Sequence, residues 1–328
     1  MSLISDIRKR AAANLKTVVL SESEDERTFE ALDFILDNGI ANIILIGPET
    51  CRGKVKSKKT SGLTIIDPLT FKDTDAMVSE YYELRKAKGM TQEEAAKTMK
   101  TDYVIFGAML VRKGMAAGFV AGASHTTADV IRAALWCLSI DKNIGTVSGS
   151  FLMEIPGSVY GERGAFLFAD CGVNPEPNAR QLAGIAVSSA ALFKKLTDKT
   201  PVVAFLSYSS KGSAEGPLVD KMREAVARAR ETEPGLLVDG EFQVDSAIVP
   251  EVAKIKCPGN NVAGKANVLI FPDLNSGNIS YKLVQRLASA RAVGPLLQGF
   301  TKPCSDLSRG CIPEDIVDAV AVTSIRAS

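Results

Sequence analysis

Short apolar, β-branched runs alternate along this chain with segments whose apolar positions recur at helical spacing. In the first part the runs are Thr17-Val18-Val19-Leu20, Asn42-Ile43-Ile44-Leu45-Ile46, Leu63-Thr64-Ile65-Ile66 and Gly118-Phe119-Val120-Ala121. Runs this continuous suit strands buried on both faces, as in a largely parallel sheet covered by helices. Between the first two, Phe29, Leu32, Ile35 and Leu36 form a helical stripe. Ser23-Glu24-Asp25-Glu26 precedes that stripe at capping-box spacing, and Asn38-Gly39 supplies its stop. Met77, Tyr81 and Leu84 line one face of a later helix ending in Arg85, Lys86 and Lys88, and Thr91-Gln92-Glu93-Glu94 caps the next.

The second part repeats the alternation. Apolar runs at 145–147, 165–168, 202–206, 236–238 and 267–271 are separated by longer segments, including an alanine-rich helix over 177–196. With 328 residues the chain exceeds the roughly 250 to 300 that one core supports, which predicts two domains. The expected fold class is α/β: two α/β/α domains with largely parallel sheets. No linker rich in Pro, Gly or Ser marks the boundary, which is placed near residue 145.

Lys plus Arg number 39 against 38 Asp plus Glu, a net charge of +1, so no global field draws the protein to nucleic acid or a membrane. Any anion must be captured locally. Six cysteines without a CxxC pair and the single His125 give no metal-ligand spacing, and no metal is expected. No apolar run approaches 18 residues and the first residues lack a signal-peptide core, so the expectation is a cytoplasmic protein with reduced thiols.

Three segments carry candidate chemistry. In 299–315, Ser308 offers a hydroxyl, Arg309 a fixed cation, Gly310 a permissive backbone and Asp315 a carboxylate in the first turn of a helix begun by Pro313, a set that suits an anionic substrate. In 122–129, Ser124, Thr126 and Thr127 follow a strand and open a helix, with Thr126 and Asp129 at capping-box spacing and Arg132 further along. Hydroxyls and backbone donors there suit phosphate, and the same pattern also describes an ordinary capped helix. In 273–282, Asn275 and Gly277 lie at the start of a helix whose Ile279, Leu283 and Leu287 recur on one face, so a binding loop and a polar turn before a buried helix both fit. GxxxxGK[ST], a GxGxxG after the first strand and GxSxG are all absent.

Together, Phe271-Pro272-Asp273-Leu274-Asn275-Ser276-Gly277-Asn278-Ile279, Leu297-Gln298-Gly299, Lys302-Pro303 and Asp306-Leu307-Ser308-Arg309-Gly310 resemble the phosphate acetyltransferases, or phosphotransacetylases, of the phosphate acetyl/butyryltransferase family. Val19-Leu20-Ser21-Glu22-Ser23-Glu24-Asp25 is similar to the family's first strand and turn, and 122–129 to its Gly-Ala-x-His-Ser-Thr-Ala-Asp segment, so the resemblance covers essentially the whole chain. Ser21 and Ser23 stand in place of Pro and Gly, Thr126-Thr127 in place of Ser-Thr, and Cys304-Ser305 in place of Val-Asn. The resemblance implies reversible transfer of acetyl between acetyl phosphate and coenzyme A, with coenzyme A as substrate and no permanently bound cofactor. It further implies a homodimer of isocitrate/isopropylmalate dehydrogenase-like architecture with its active site in an interdomain cleft. The C-terminal segment then returns to the first domain, giving 1–145 plus 294–328 as one domain and 146–293 as the other.

Residue by residue, the resemblance implies catalytic roles for Asp315 as base and for Arg309 and Ser308 as stabilisers of developing charge, with Arg132 and Arg85 on anionic groups of coenzyme A. Reference pKa values of about 3.9 for an aspartate and 8.5 for a thiol leave proton transfer uphill by about 6 kcal/mol, so a cation must share the work. A low-pKa nucleophile at Cys304 or Cys311 is the competing covalent route. Butyryl or propionyl transfer, and a non-catalytic module binding coenzyme A or acyl phosphate, are the competing functions; one methylene in a pocket is worth only about 1 to 3 kcal/mol.

Overall fold

A computed structural model describes residues 2–327 and divides them into two compact units, one of Ile4–Ser139 and 300–327, the other of Ile140–Gly299 with residues 2–3. Met1 and Ser328, the outermost positions of the expected first domain, lie outside the described residues.

The first unit opens with helix α1 (Leu3–Ala13), then β1 (Thr17–Leu20), α2 (Glu26–Asp37), β2 (Asn42–Ile46), β3 (Leu63–Ile66), α3 (Thr74–Arg85), α4 (Gln92–Thr101), α5 (Tyr103–Arg112), β4 (Gly118–Ala121) and α6 (Thr127–Cys137). The cap of α2 is Asp25, whose side chain accepts the Arg27 N–H, and not the expected Ser23. Helix α5 was not anticipated, because it is apolar all round: Val104 to Val111 are all buried, so it shows no amphipathic period.

The second unit contains β5 (Ser148–Glu154), β6 (Ala165–Ala169), α7 (Ala179–Thr197), β7 (Val202–Leu206), α8 (Pro217–Thr232), β8 (Leu237–Phe242), the short α9 (Val244–Ile248) and α10 (Pro250–Lys256), β9 (Val268–Ile270), α11 (Leu274–Leu287) and β10 (Arg291–Gln298). Its strands run in the order β10-β5-β6-β9-β7-β8; β5 is antiparallel to both β10 and β6, and the rest are parallel. Residues 2–3, 140–145 and 294–299, expected in the first domain, fall in this unit; 294–299 do so because β10 pairs with β5 on both sides of an irregularity between Val293 and Leu296. The expected strand at 145–147 begins instead at Ser148.

The chain then returns to the first unit with β11 (Cys304–Asp306) and α12 (Pro313–Arg326). There the strands run β3-β2-β1-β4-β11, all parallel. The chain steps from β1 outward to β2 and β3, then crosses to β4 on the other side of β1, so the strand order reverses between β1 and β4. Ligand crevices of open parallel sheets form at the carboxyl ends of the strands at such a reversal. One face is covered by α12, packed on α2, the other by α5 and α6. The close approach is visible at two glycines: a Cβ on Gly118 would meet Thr323 of α12, and a Cβ on Gly107 of α5 would meet Val19 and Ser21.

Candidate active site

The loops leaving β1, β4 and β11 lie side by side at this reversal, and two side chains that follow β1, Glu22 in its loop and Arg27 in the first turn of α2, tie the three together. Glu22, only 3% exposed, accepts the N–H groups of Gly122, Ala123, Ser124 and His125 at 2.8–3.0 Å, with His125 Nδ1 2.9 Å away. Burial works against its charge, but His125 and the loop amides prevail and hold its pKa below the ordinary carboxylate value, while the same pairing raises that of His125. Arg27 pairs with Asp25 at 2.6 Å and donates to the carbonyls of Ala123, Arg309 and Cys311 at 2.7–2.9 Å. Neither Glu22 nor Arg27 was singled out from sequence; the only signal was their place between the end of a strand and the first turn of the next helix.

This arrangement corrects the expectation for 122–129. The backbone donors expected to face a phosphate are committed to Glu22, and the Thr126 N–H donates to Asp129. The hydroxyls of Ser124, Thr126 and Thr127 each donate at 2.6 Å to a carboxylate, of Glu24, Asp129 and Asp306 respectively. A hydroxyl has one proton to donate, so while those carboxyls are ionised these three are not donors held ready for an anion. Helix geometry leaves the N–H groups of Thr127 and Ala128 without an intrahelical acceptor.

Cationic groups stand nearby. The Arg85 and Arg132 guanidinium carbons lie 4.3 and 5.8 Å from the ring centroid of Trp136, the only tryptophan, so the fold brings together the two arginines noted from sequence. Arg132 also pairs with Asp129 at 2.9 Å. Arg85 Nε is buried with no hydrogen-bond partner among the described residues.

In the β11 loop, Ser308, Arg309 and Gly310 are exposed, and the Ser308 hydroxyl oxygen accepts the Gly310 N–H at 3.3 Å. Arg309 forms no ion pair among the described residues: Asp306 bonds Thr127, and Asp315 Oδ2 accepts the Ile312 N–H at 2.9 Å in the first turn of α12. The cysteines are poorly placed for attack. Cys304 is fully buried within β11 and Cys311 is also buried, and burial pushes their thiols up to about 12 and about 11. Asn275 and Gly277 sit in the other unit, at the start of α11. Asn275 is exposed; Gly277 is buried, and a Cβ there would overlap the Asp170 carbonyl oxygen, which accounts for the glycine by packing.

A family model described as phosphate acetyl/butaryl transferase matches residues 2–324. The chain belongs to that family. Among relatives of this transferase, the phosphate acetyltransferase of Thermoanaerobacterium thermosaccharolyticum is 49% identical over the whole of both chains, and that of Bacillus subtilis is 41% identical over 99% of each. The crystal structure of a phosphotransacetylase from Streptococcus pyogenes superposes with a TM-score of 0.92 at 41% identity, covering 99% of this chain and 98% of the other. A branched-chain phosphotransacylase from Enterococcus faecalis shares the fold with a TM-score of 0.66 at 18% identity.

Proposed function

We propose that this transferase catalyses reversible acetyl transfer between acetyl phosphate and coenzyme A. The observation that carries the reading is the exposed, ion-pair-free Arg309 beside Ser308, on a loop at the strand-order reversal and anchored there by Arg27. Asp315 accepts the thiol proton as the thiolate sulfur bonds to the acetyl carbonyl carbon. The tetrahedral oxyanion then collapses, the bond from that carbon to the phosphate oxygen breaks, and phosphate departs. Arg309 stabilises the charge that develops on the thiolate, the oxyanion and the departing phosphate, and Ser308 donates to the carbonyl oxygen, the preorganised charge stabilisation that acyl transfer needs.

Arg85 and Arg132 bind anionic groups of coenzyme A, presented from the Trp136 ring. Ser124, Thr126 and Thr127 shape that site through the carboxylates they bond, with Gly310 leaving room beside Arg309, where a Cβ would meet only the Ser308 hydroxyl at 3.8 Å, and Asn275 and Gly277 serving the α11 start. No permanently bound cofactor takes part. The six cysteines, all free, suit a reducing cytoplasm. A homodimer is supported by the exposed Ile279, Leu283 and Leu287 on α11.

Phosphate-dependent formation and breakdown of acetyl-CoA, run beside propionyl and butyryl substrates, tests the reading. Faster turnover of the longer acyl groups replaces it with a butyryl or propionyl preference, and no thioester exchange with any of them overturns it.

A further inference from the structure

Asp306 is used by no step above, yet its surroundings are unusual. It is the last residue of β11, in register with Ala121 at the end of β4, and is fully buried. Oδ2 lies 2.6 Å from the Thr127 hydroxyl, at the first residue of α6, while buried Oδ1 has no hydrogen-bond partner among the described residues and would collide with a side chain at Gly122. The bond therefore joins the loop that carries Ser308 and Arg309 to the helix that carries Arg132.

We infer that Asp306 is a positioning residue whose proton decides which way the Thr127 hydroxyl points. A neutral acid donates its O–H to Thr127 Oγ1, leaving the Thr127 proton to turn outward beside the unpaired N–H groups that open α6. An ionised Asp306 takes that proton inward. The neutral form thus completes a donor set for an anionic substrate group at this helix start, and ionisation removes one member. This rests on the functional reading above only in the identity of the anion.

The electrostatic setting brings the neutral and ionised forms close to balance near neutrality. Burial pushes the Asp306 carboxyl up to about 7, against the Thr127 hydroxyl and the Leu307 N–H, and the negative Glu22 from the β1 loop adds to the rise. The Cys304 thiol on its own strand also faces it. From the helices packed on β11, the groups that reach this strand are Thr127 of α6, and Thr323 and Arg326 of α12, which bond Ser305 and the Cys304 carbonyl instead.

The test is binding of coenzyme A and of inorganic phosphate by calorimetry from pH 6 to 8, a readout that needs no turnover. Asp306→Asn places an N–H donor on Thr127 at every pH and mimics the neutral acid. The ratio of wild-type to D306N dissociation constants should rise about threefold or more across that range, since ionisation near neutrality changes the donor only in wild type. Comparison with the variant cancels titration of the ligand itself. Thr127→Val, which tests the same bond should D306N fail to fold, should bind more weakly at pH 6 and lose the pH-dependent component. A constant ratio, or a T127V profile superimposable on wild type, overturns the inference. Ligand binding with this signature but without acyl transfer would refute the proposed function and leave the Asp306 inference standing.

Discussion

His125 Nδ1 lies 2.9 Å from Glu22 Oε1, so the single histidine of the chain is clamped to a buried carboxylate that also gathers four consecutive amides of its own loop. The two pKa shifts stabilise the fold in complementary pH ranges. The Glu22 contribution, from a lowered pKa, is present above about 4.5 and lost as pH falls below it. The His125 contribution, from a raised pKa, is full below about 6.5 and is lost as pH rises through the higher folded value. One imidazole resonance set reports this directly: proton NMR should show His125 titrating above 6.5, and Glu22→Gln should bring it back toward that value. An unshifted titration would remove the ion pair from the account.

Arg309→Ala should lower kcat by about 10²- to 10³-fold, the usual cost of deleting one preorganised stabiliser of developing charge. The loss should be at least as large as for Asp315→Asn, because a carboxylate alone is a poor match for a thiol proton. Arg309→Lys should recover only part of it, since an ammonium cannot reproduce a planar, forked donor. Steady-state kinetics in both directions checks this; wild-type turnover in R309A would remove Arg309 from the mechanism.

The pairing of Arg85 and Arg132 with Trp136 makes the tryptophan a reporter. Coenzyme A binding should change its emission, and Arg85→Ala or Arg132→Ala should raise KM for coenzyme A by roughly tenfold with a smaller effect on kcat, the signature of lost uniform binding. Trp136→Phe should abolish the optical signal while retaining an aromatic face. An emission spectrum indifferent to saturating coenzyme A would place the substrate elsewhere.

Replacement of Gly277 by Ala should destabilise the second unit. The intruding Cβ meets backbone, the Asp170 carbonyl, in a loop already pinned because the Asp170 carboxylate accepts the N–H groups of Gly149, Gly172, Val173 and Asn174. Neither side can yield as a flexible side chain would, so about 1 to 3 kcal/mol is expected in urea unfolding. Ser276→Ala, one residue earlier, is the control for the helix start.

Periodicity made the strands around β1 and β4 readable, because continuous β-branched runs survive burial on both faces. It failed at β11, where Cys304-Ser305-Asp306 is too short and too polar to read as a strand although all three residues are buried. Motif order singled out Ser308, Arg309 and Asp315, and the first two are exposed on the loop that leaves β11. The bonds joining the three loops, from Glu22, Arg27 and Asp306, span from 96 to 284 positions of chain, and no local pattern records a pairing of that range. The same blindness made 122–129 look like an open cradle of donors, when a carboxylate a hundred residues earlier occupies them.

Helix α11 exposes Ile279, Leu283 and Leu287 by 56%, 52% and 82%, although their i, i+4, i+8 spacing would suit a face turned to the core. The inner face is instead built on Gly277, with Tyr281 stacked on Phe151 at 3.9 Å between ring centroids and Val284 packed on the second unit's core. Three large apolar side chains in one line on a surface helix are what a second copy of the chain would cover in a symmetric pairing. Light scattering on wild type should give twice the 34.9 kDa chain mass. Leu283→Glu, which puts a charge at the middle of the stripe without touching the inner face, should give a folded species of single chain mass with the wild-type far-ultraviolet circular dichroism. A variant that stays dimeric would move the interface away from α11, and a monomeric wild type would leave the stripe without the partner assigned to it.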